Sequence, residues 1–224
     1  MNKKAVIILS GGIDSATLLY SSVKKGLDVD CITFNYGQKH SKEIDSALKV
    51  SNALGVPHKV IDLSALRELL SGSALTDVNV DIPEVPETAE HYDTLKSTIV
   101  PNRNAIFLAI AVGYAVSKSA DNVLFGAHHS DRGVYPDCRQ EFVESFQTSE
   151  RLATANPDLN IDAPFVEMDK SQIVKLGAGL GVPFKETWSC YKGGRVHCGV
   201  CSSCRERKRA FLESGVPDPT GYER

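Results

Sequence analysis

A short polar loop near the start of the sequence is suited to phosphate chemistry. Ser10-Gly11-Gly12-Ile13-Asp14-Ser15 follows an apolar run and leads into a helical pattern. Glycines let backbone N–H groups approach a phosphate, and a helix start adds unsatisfied N–H groups and a positive dipole end. The serine hydroxyls are further donors, while Asp14 would lie near a chelated magnesium ion or cap the helix. We predict a nucleotide site here, with a glycine turn before an ordinary helix as the alternative.

Four of the six cysteines crowd into one C-terminal segment, at positions Cys190, Cys198, Cys201 and Cys204. The two-residue spacings let neighbouring sulfurs face one ion, and four thiolates close a tetrahedral shell with no open position. The pattern predicts a structural zinc ion that tethers this segment. An iron–sulfur cluster is the alternative, because the same spacing occurs in ferredoxins. We expect the adjacent His197 to be an exposed loop histidine or a substrate contact.

Two other polar segments lie where a nucleotide-binding sheet would hold its ligands. Val100-Pro101-Asn102-Arg103-Asn104 opens a long helical pattern, so Arg103 would reach an α-phosphate or a substrate carboxylate. The alternative is that Asn102 only caps the helix. The second segment, 126–139, is dense in His, Asp and Arg and follows a predicted strand directly. Ligands of open α/β sheets bind beyond the carboxyl ends of strands, although any one of these side chains is as readily structural.

The elements that must position these residues alternate between strands and helices. The predicted strands are 5–9, 29–34, 57–61, 122–125 and 161–164, and the predicted helices are 14–25, 40–54, 102–117, 139–154, 170–180 and 202–214. This order predicts an α/β fold with a doubly wound, mainly parallel sheet. We expect an α/β domain over 1–182, a metal-binding segment over 183–224, and an irregular insertion or lid, or a plain loop, over 72–98.

Composition limits the partners of this chain. The 224 residues carry a net charge of −3, so there is no large cationic field for a nucleic acid. The basic run 205–209 is expected to be a solvated helix face, with phosphate contact as the alternative. Cys31 should be a small core residue. No apolar stretch reaches the roughly 20 residues that span a bilayer, which predicts a cytoplasmic protein.

The phosphate loop resembles the PP-loop of the ATP-pyrophosphatase superfamily, since it is neither a Walker loop nor a Gly-x-Gly-x-x-Gly loop. Together with Val100–Asn104, Tyr135-Pro136-Asp137-Cys138, Trp188-Ser189-Cys190-Tyr191 and the remaining cysteines, it makes nearly the whole chain resemble the QueC family of the queuosine pathway. That resemblance implies a fold of the Rossmann-like adenine nucleotide alpha hydrolase type. It also implies a homodimer, in which the loop holds ATP and Mg²⁺ and the four cysteines hold zinc.

The resemblance also assigns site residues. The expected nucleotide contacts are Leu9, Ser10, Gly11, Gly12, Ile13, Asp14, Ser15, Ala16, Thr17, Leu18 and Leu19. Asp14, Ser15 and Arg103 are the expected catalytic residues. Placing the substrate against the loop after the fourth strand is our own hypothesis, and it names His128, His129, Asp131, Asp137 and Arg139.

The implied reaction is the ATP-dependent conversion of 7-carboxy-7-deazaguanine and ammonia into the nitrile. Adenylation would turn a poor leaving group into a good one, ammonia would give the amide, and a second activation would permit dehydration. We expect no glutaminase domain in this chain, so free ammonia or a partner would supply the nitrogen.

Two rivals from other classes stay open at this point. A tRNA thiolase or lysidine synthetase would need RNA binding, and thiolation would need a sulfur-carrying cysteine, for which Cys138 is the candidate. An ATP-sensing module would share the sheet without catalysing a reaction.

Overall fold

The computed structural model describes residues 3–70, 72–86 and 95–224. These residues form a five-stranded sheet in the order β3-β2-β1-β4-β5, and all neighbouring strands run parallel. The strands are β1 (Lys4–Ile8), β2 (Asp28–Asn35), β3 (His58–Asp62), β4 (Asn122–Leu124) and β5 (Asn160–Asp162). The chain winds outward from β1 in one direction and then in the other. The doubly wound prediction is confirmed, and the strand order reverses between β1 and β4.

Six α-helices lie wholly within the described part of the chain, four before β5 and two after it. They are α1 (Ile13–Lys24), α2 (Lys42–Ala53), α3 (Arg103–Ser117), α4 (Gln140–Thr154), α5 (Lys170–Leu180) and α6 (Ser202–Ser214). The predicted elements are all present, but several ends are shifted: α2 begins at Lys42 rather than His40, and β5 ends at Asp162 rather than Pro164. None of the described helices is long and apolar enough to cross a membrane.

The two faces of the sheet build two hydrophobic cores from alternate strand residues. Val6 and Ile32 pack with α3 and α4 on one face. Ile7 and Cys31 pack with α1, α2, α5 and α6 on the other. Because side chains alternate along a strand, a sheet covered on both faces needs the continuous apolar runs that this sequence has. Cys31 is fully buried, so its prediction as a core residue is confirmed.

The start of α5 is fixed by a reciprocal cap. The Asp169 side chain accepts a hydrogen bond from the Gln172 backbone N–H at 2.9 Å, and the Gln172 side chain accepts one from the Asp169 N–H at 2.9 Å. Asp169 and Gln172 therefore form a capping box. It places Lys170 as the first residue of α5, at the edge of the sheet where the polar loops gather.

The described part of the insertion is docked against the cysteine segment. The Val85 N–H donates to the Val200 carbonyl at 2.8 Å, and Arg205 Nε donates to the Val85 carbonyl at 3.1 Å. Residues 72–86 are irregular, as predicted, apart from one bridge between Glu84 and Cys201. Residues 87–94, part of the predicted lid, lie outside the described residues, so the lid stays a prediction.

His58 provides a test of how the fold responds to pH. Its ring nitrogens hydrogen-bond to the Thr33 hydroxyl at 2.7 Å and to the Ser51 hydroxyl at 2.8 Å, which joins β3 to β2 and α2. Burial lowers the pKa of His58 below its ordinary value of 6.5. The unfolded chain then binds the extra proton first, so the free energy of unfolding should fall as the pH drops below 6.5.

We expect His58→Gln to lose less stability than the unchanged protein between about pH 7.5 and pH 5.5, because glutamine does not titrate. At pH 7.5 the variant should already be less stable by about 1–2 kcal/mol, owing to poorer hydrogen bonding of the two hydroxyls. Urea unfolding followed by circular dichroism measures both effects. An equal pH dependence in the two proteins would contradict this assignment.

Candidate active site and metal centre

The Ser10–Ser15 loop lies at the carboxyl end of β1, beside the point where the strand order reverses. Gly12 occupies the N-cap position of α1 and has no side chain, which leaves the first-turn N–H groups available to an anion. The loop is held internally by Ser15, whose hydroxyl accepts a hydrogen bond from the Ser10 N–H at 3.1 Å and lies 3.0 Å from the Ser10 hydroxyl. The strand, loop and helix form a preorganised phosphate cradle.

Gly11 brings this loop into direct contact with α2. Its φ is +82°, and a Cβ atom added there would lie 2.2 Å from the carbonyl oxygen of Glu43. A residue with a side chain would be strained by the backbone conformation and would also collide with main-chain atoms. Glycine at this position therefore sets the distance between the phosphate loop and Glu43.

Asp14 points into the site and does not cap α1. It lies in the first helical turn, after the N-cap residue, and its Oδ2 is 3.2 Å from the Lys170 ammonium. Its Oδ1 is buried and has no hydrogen-bond partner among the described residues. The capping alternative for Asp14 is thus wrong. An unpaired, buried carboxylate oxygen instead suits a cation or a ligand.

Lys170 is the centre of a charged cluster beside the loop. Its ammonium donates to Glu206 Oε2 at 2.6 Å and lies 3.4 Å from His128 Nε2. His128 Nε2 is in turn 3.5 Å from Asp131 Oδ2. Burial alone would lower the pKa of Lys170, but Asp14, Glu206 and Asp131 outweigh it and raise the pKa, so the ammonium stays charged. Burial raises the pKa of Asp131, and the neighbouring Lys170 ammonium acts in the opposite direction.

Sequence reasoning missed Lys170 and Glu206. The signal for Lys170 was its position directly after the cap of a helix that follows β5, at the sheet edge where ligands bind. Glu206 stands inside the basic run 205–209 and gave no comparable signal, because the packing of α6 against α5 is a long-range contact.

A cavity of about 1010 Å³ opens above the loop and joins most of the predicted site. That volume is at the upper end for ligand sites, large enough for two ligands of moderate size. The predicted residues on its wall are Leu9, Ser10, Gly12, Ile13, Asp14, Ser15, Arg103, His128 and Asp131. The predicted nucleotide contacts farther along α1 are buried and do not line the cavity: Ala16, Thr17, Leu18 and Leu19. The phosphate loop, Arg103 and two members of the predicted substrate loop therefore meet in one space.

The other three members of the predicted substrate loop point elsewhere. His129 is exposed and contacts Arg132, which pairs with Glu167 at 2.8 Å. Asp137 accepts a hydrogen bond from the Asn104 N–H at 3.0 Å, and Arg139 Nε donates to the Arg132 carbonyl at 3.1 Å. Asp137 and Arg139 line a separate, more open cavity. The Asp137 hydrogen bond holds the loop against α3, while the Arg139 hydrogen bond stabilises the loop internally.

The wall that contains Arg103 is rich in aromatic and titratable groups. Tyr36, Tyr135, Tyr191 and Glu43 line the same cavity as Arg103. Burial raises the pKa of Glu43 to about 7, although the Arg103 charge opposes the shift. Burial alone would lower the pKa of Arg103, but the tyrosines and Cys138 around it raise it, so the guanidinium stays charged. Asn102 is the N-cap residue of α3 and has φ 57°, but its side chain makes no hydrogen bond to the first turn of that helix. The alternative that Asn102 only caps the helix through its side chain is therefore wrong.

The four clustered cysteines form a compact thiol site. Their sulfurs all lie within 4.8 Å of one another, and the Sγ atoms of Cys198 and Cys204 are 3.9 Å apart. Sulfurs bound at 2.3 Å in a tetrahedron would be about 3.8 Å apart, so the spacing fits one metal ion. All six cysteines are free thiols, and among the described residues only these four bring three or more potential ligands together. Hydrogen bonds from Cys201 and Cys204 lower the pKa of Cys190, which favours a thiolate.

Two predictions about the C-terminal segment are wrong. His197 is buried rather than exposed: its Nε2 accepts a hydrogen bond from the Ser189 N–H at 3.1 Å, its ring centroid is 4.2 Å from that of Trp188, and burial lowers its pKa to about 4. The run 205–209 is not a uniformly solvated face, because Arg207 is fully buried. Arg207 donates to the Phe184 carbonyl at 2.8 Å and to the Thr187 hydroxyl at 2.9 Å. Its guanidinium holds the segment before the cysteines in place.

Comparisons with known proteins agree with this geometry. The sequence model of the family described as "Queuosine biosynthesis protein QueC" matches residues 4–215. A 7-cyano-7-deazaguanine synthase of Marinobacter nauticus is 50% identical over 100% of this chain and 99% of that protein. One of Archaeoglobus fulgidus is 50% identical over 96% of this chain and 89% of that protein.

Solved structures share the fold at low sequence identity. The NMN synthetase of Francisella tularensis is 18% identical, covers 96% of this chain and 79% of that chain, and has a TM-score of 0.52. A 4-thiouridine synthetase in complex with RNA and ATP is 17% identical, covers 95% of this chain and 50% of that chain, and also has a TM-score of 0.52. These neighbours agree with the fold, while the sequence matches over nearly the full length decide the family. The chain belongs to the QueC family of queuosine biosynthesis proteins.

Proposed function

We propose that this chain converts 7-carboxy-7-deazaguanine, ammonia and ATP into 7-cyano-7-deazaguanine. The observation that carries the proposal is the single cavity in which the phosphate loop, Lys170 and Arg103 meet. The activity that the curated relatives are named for needs an acid and a nucleotide in one site. An ATP-dependent enzyme that forms C–N bonds is thereby favoured over a passive ATP-sensing module.

The phosphate loop supports transfer of AMP to the substrate carboxylate. The first-turn N–H groups of α1 and the hydroxyls of Ser10 and Ser15 would hold the β- and γ-phosphates. A carboxylate oxygen would then attack the α-phosphorus, and pyrophosphate would leave. Arg103, charged and on the cavity wall, would hold the acid in line for this attack.

Two activations in the same cavity account for the nitrile. Ammonia attacks the acyl carbon of the adenylate, AMP leaves, and a proton passes to solvent or a nearby base. In the second round the amide oxygen takes the AMP group, and loss of that AMP with the remaining amide protons leaves a carbon–nitrogen triple bond. Buried His128, whose Nδ1 has no partner among the described residues, would accept one of these protons.

The charge balance of the cluster supports the predicted Mg²⁺. Asp14, Asp131 and Glu206 face Lys170 and His128, so the cluster does not supply the positive charge that a triphosphate requires. A magnesium ion shared between phosphate oxygens and Asp14 would remove this repulsion. Asp14 Oδ1, buried and unpaired among the described residues, is the oxygen that would contact the ion.

We also propose that zinc fills the cysteine site and that the chain acts on small molecules as a homodimer. The four thiols leave no open position, which suits a structural ion. The net charge of −3 opposes direct binding of nucleic acid. Cys138 is poorly suited to sulfur transfer, because it is buried, accepts a hydrogen bond from Asn104 at 3.1 Å, and has a pKa raised by burial.

Mass spectrometry of the reaction products tests the proposal. We expect ATP, ammonium and 7-carboxy-7-deazaguanine to give first the amide and then the nitrile, with formation of neither when ATP is omitted. Labelled ammonium should place its nitrogen in the nitrile. Detection of neither product under conditions where the protein is folded and metal-loaded would contradict the proposed function.

A further inference from the structure

The cavity also holds a carboxyl group that the proposed chemistry does not use. Glu43 lines the cavity, yet its carboxyl group makes no hydrogen bond or ion pair with the rest of the described residues. The Arg103 guanidinium influences this carboxyl group electrostatically, but the two groups do not come within the 4.0 Å of an ion pair. A desolvated carboxyl group that no neighbour satisfies is costly, so it is suited to a ligand that brings donors.

The backbone fixes Glu43 close to the phosphate loop. Its carbonyl oxygen lies where a Cβ of Gly11 would be, and α2 is packed into the core through Ala47 and Val50. The carboxyl group is therefore carried by a helix that packs directly against the phosphate loop. Glu43 and the phosphate loop line the same cavity, so one bound ligand could contact Glu43 while its other end faces the loop.

The surroundings of Glu43 suit a flat ring. Tyr36 and Phe107 pack against each other with ring centroids 5.3 Å apart, and Tyr135 and Tyr191 lie on the same cavity wall. Aromatic walls favour stacking on planar heterocycles, while their hydroxyl groups can still reach polar atoms. Burial raises the pKa of Tyr191 well above its usual range, so this ring is neutral and presents no repulsive charge.

The proposed substrate has an edge that matches a carboxylate. A 2-amino-pyrimidinone ring carries a ring N–H next to an exocyclic amine, so two donors point the same way. A carboxylate accepts two parallel hydrogen bonds of this kind and offers no donor that would clash. Adenine presents one donor beside one acceptor on its corresponding edge, and a carboxylate pairs with that edge poorly.

We infer that Glu43 is the specificity residue of this site, accepting both hydrogen bonds from the 2-amino-pyrimidinone edge while Arg103 meets the carboxylate at the other end of the ring. The inference rests on the proposed function and deepens it. Glu43 selects the acid by its amine, and it positions the reacting carboxylate by holding the far edge of the ring. It is a binding residue that takes no part in proton transfer.

The test compares the natural acid with its 2-deamino analogue, which lacks only the exocyclic amine. Hydrogen bonds to a charged group contribute about 1.5–3 kcal/mol each, equivalent to a preference of roughly 10–100-fold in kcat/KM for the acid. In Glu43→Gln the amide NH₂ would oppose a substrate donor. We therefore expect the KM for the acid to rise by roughly 10–100-fold and the preference for the amine to disappear.

Matched controls separate recognition from general damage. Asp45 is exposed on the same helix, so Asp45→Asn should behave like the unchanged protein. Glu43→Asp keeps the carboxylate, so it should retain a preference for the amine although its KM for the acid rises. The KM for ATP should stay within about threefold in all three variants, since each change spares the phosphate loop.

Three outcomes would overturn the inference. One is a preference for the amine that survives in Glu43→Gln; another is a lack of preference in the unchanged protein. The third is a rise in the KM for ATP alone, which would assign Glu43 to the nucleotide. If Glu43→Gln does not fold, the preference for the acid over its 2-deamino analogue can still be measured in the unchanged protein and in Glu43→Asp, and its loss there would contradict the inference. Nitrile formation by the unchanged protein tests the proposed function separately, so the two can fail independently.

Discussion

Lys170→Met is expected to lower kcat/KM for ATP by about 10²–10³-fold, the cost of removing one preorganised charged group from a site of charge development. Lys170 is 13% exposed and contacts Asp14 at 3.2 Å and Glu206 at 2.6 Å. It is the positive group that compensates the carboxylate of the phosphate loop. When ATP binds, the same ammonium can turn to a phosphate oxygen. Without it, the triphosphate would face Asp14 and Glu206 uncompensated.

A control on the same helix makes this prediction specific. Lys175 is exposed on α5, so Lys175→Met removes the same charge at a distance from the cavity and should leave kcat/KM within about twofold. Lys170→Arg keeps the charge but not its compact shape, and we expect an intermediate loss. Steady-state kinetics with saturating acid and ammonium measure all three variants. Activity of Lys170→Met within threefold of the unchanged protein, in a folded sample, would contradict the role.

The local part of the site could be predicted from the sequence because its geometry is set by neighbouring residues. The Ser10–Ser15 loop is built from local features, namely a buried strand, two glycines and a helix start, all of which the sequence shows directly. The short spacing of the cysteines likewise brings their sulfurs near one another. The alternation of strands and helices predicted the doubly wound sheet, and the carboxyl ends of the strands predicted the edge at which ligands bind.

The long-range part of the site could not be predicted in this way. His128 and His129 are neighbours with the same chemistry, yet His128 is buried in the charged cluster while His129 is exposed. Their separation depends on a 3-10 turn that the sequence does not signal. Glu206 and Arg207 stood in a run that resembled a solvated helix face. Only the packing of α6 against α5 and the preceding loops decides which side chains of that run are buried.

Cys204→Ala should destabilise the protein by at least about 4 kcal/mol, which for a chain of this size lowers Tm by roughly 10 °C. Cys204 lies inside α6, and alanine is the most favourable residue for a helix. The loss would therefore report the missing metal ligand and not a damaged helix. Metal analysis should find about one zinc per chain before the change and much less after it. Visible absorbance from an iron–sulfur cluster in the unchanged protein would instead favour the alternative centre.

Cys31→Ala is the matched control, because it removes another buried thiol far from the cluster. We expect this variant to keep its zinc and to lose only about 1–2 kcal/mol of stability, the usual cost of a small deletion in a core. If both variants lost the same stability and neither lost metal, the four cysteines would be ordinary core residues.

Loss of the metal ion should also disturb the nucleotide site, because one segment of the chain contacts both the cysteine site and the phosphate loop. The Trp188 backbone N–H donates to the Gly11 carbonyl at 2.9 Å, and the Trp188 indole N–H donates to the Cys190 carbonyl at 2.8 Å. Trp188 is the sole tryptophan of the chain, so its fluorescence reports this junction directly. We expect a chelator to change that fluorescence and to weaken ATP binding together. A metal-free protein that bound ATP with unchanged affinity would show that the phosphate loop keeps its shape without the metal ion.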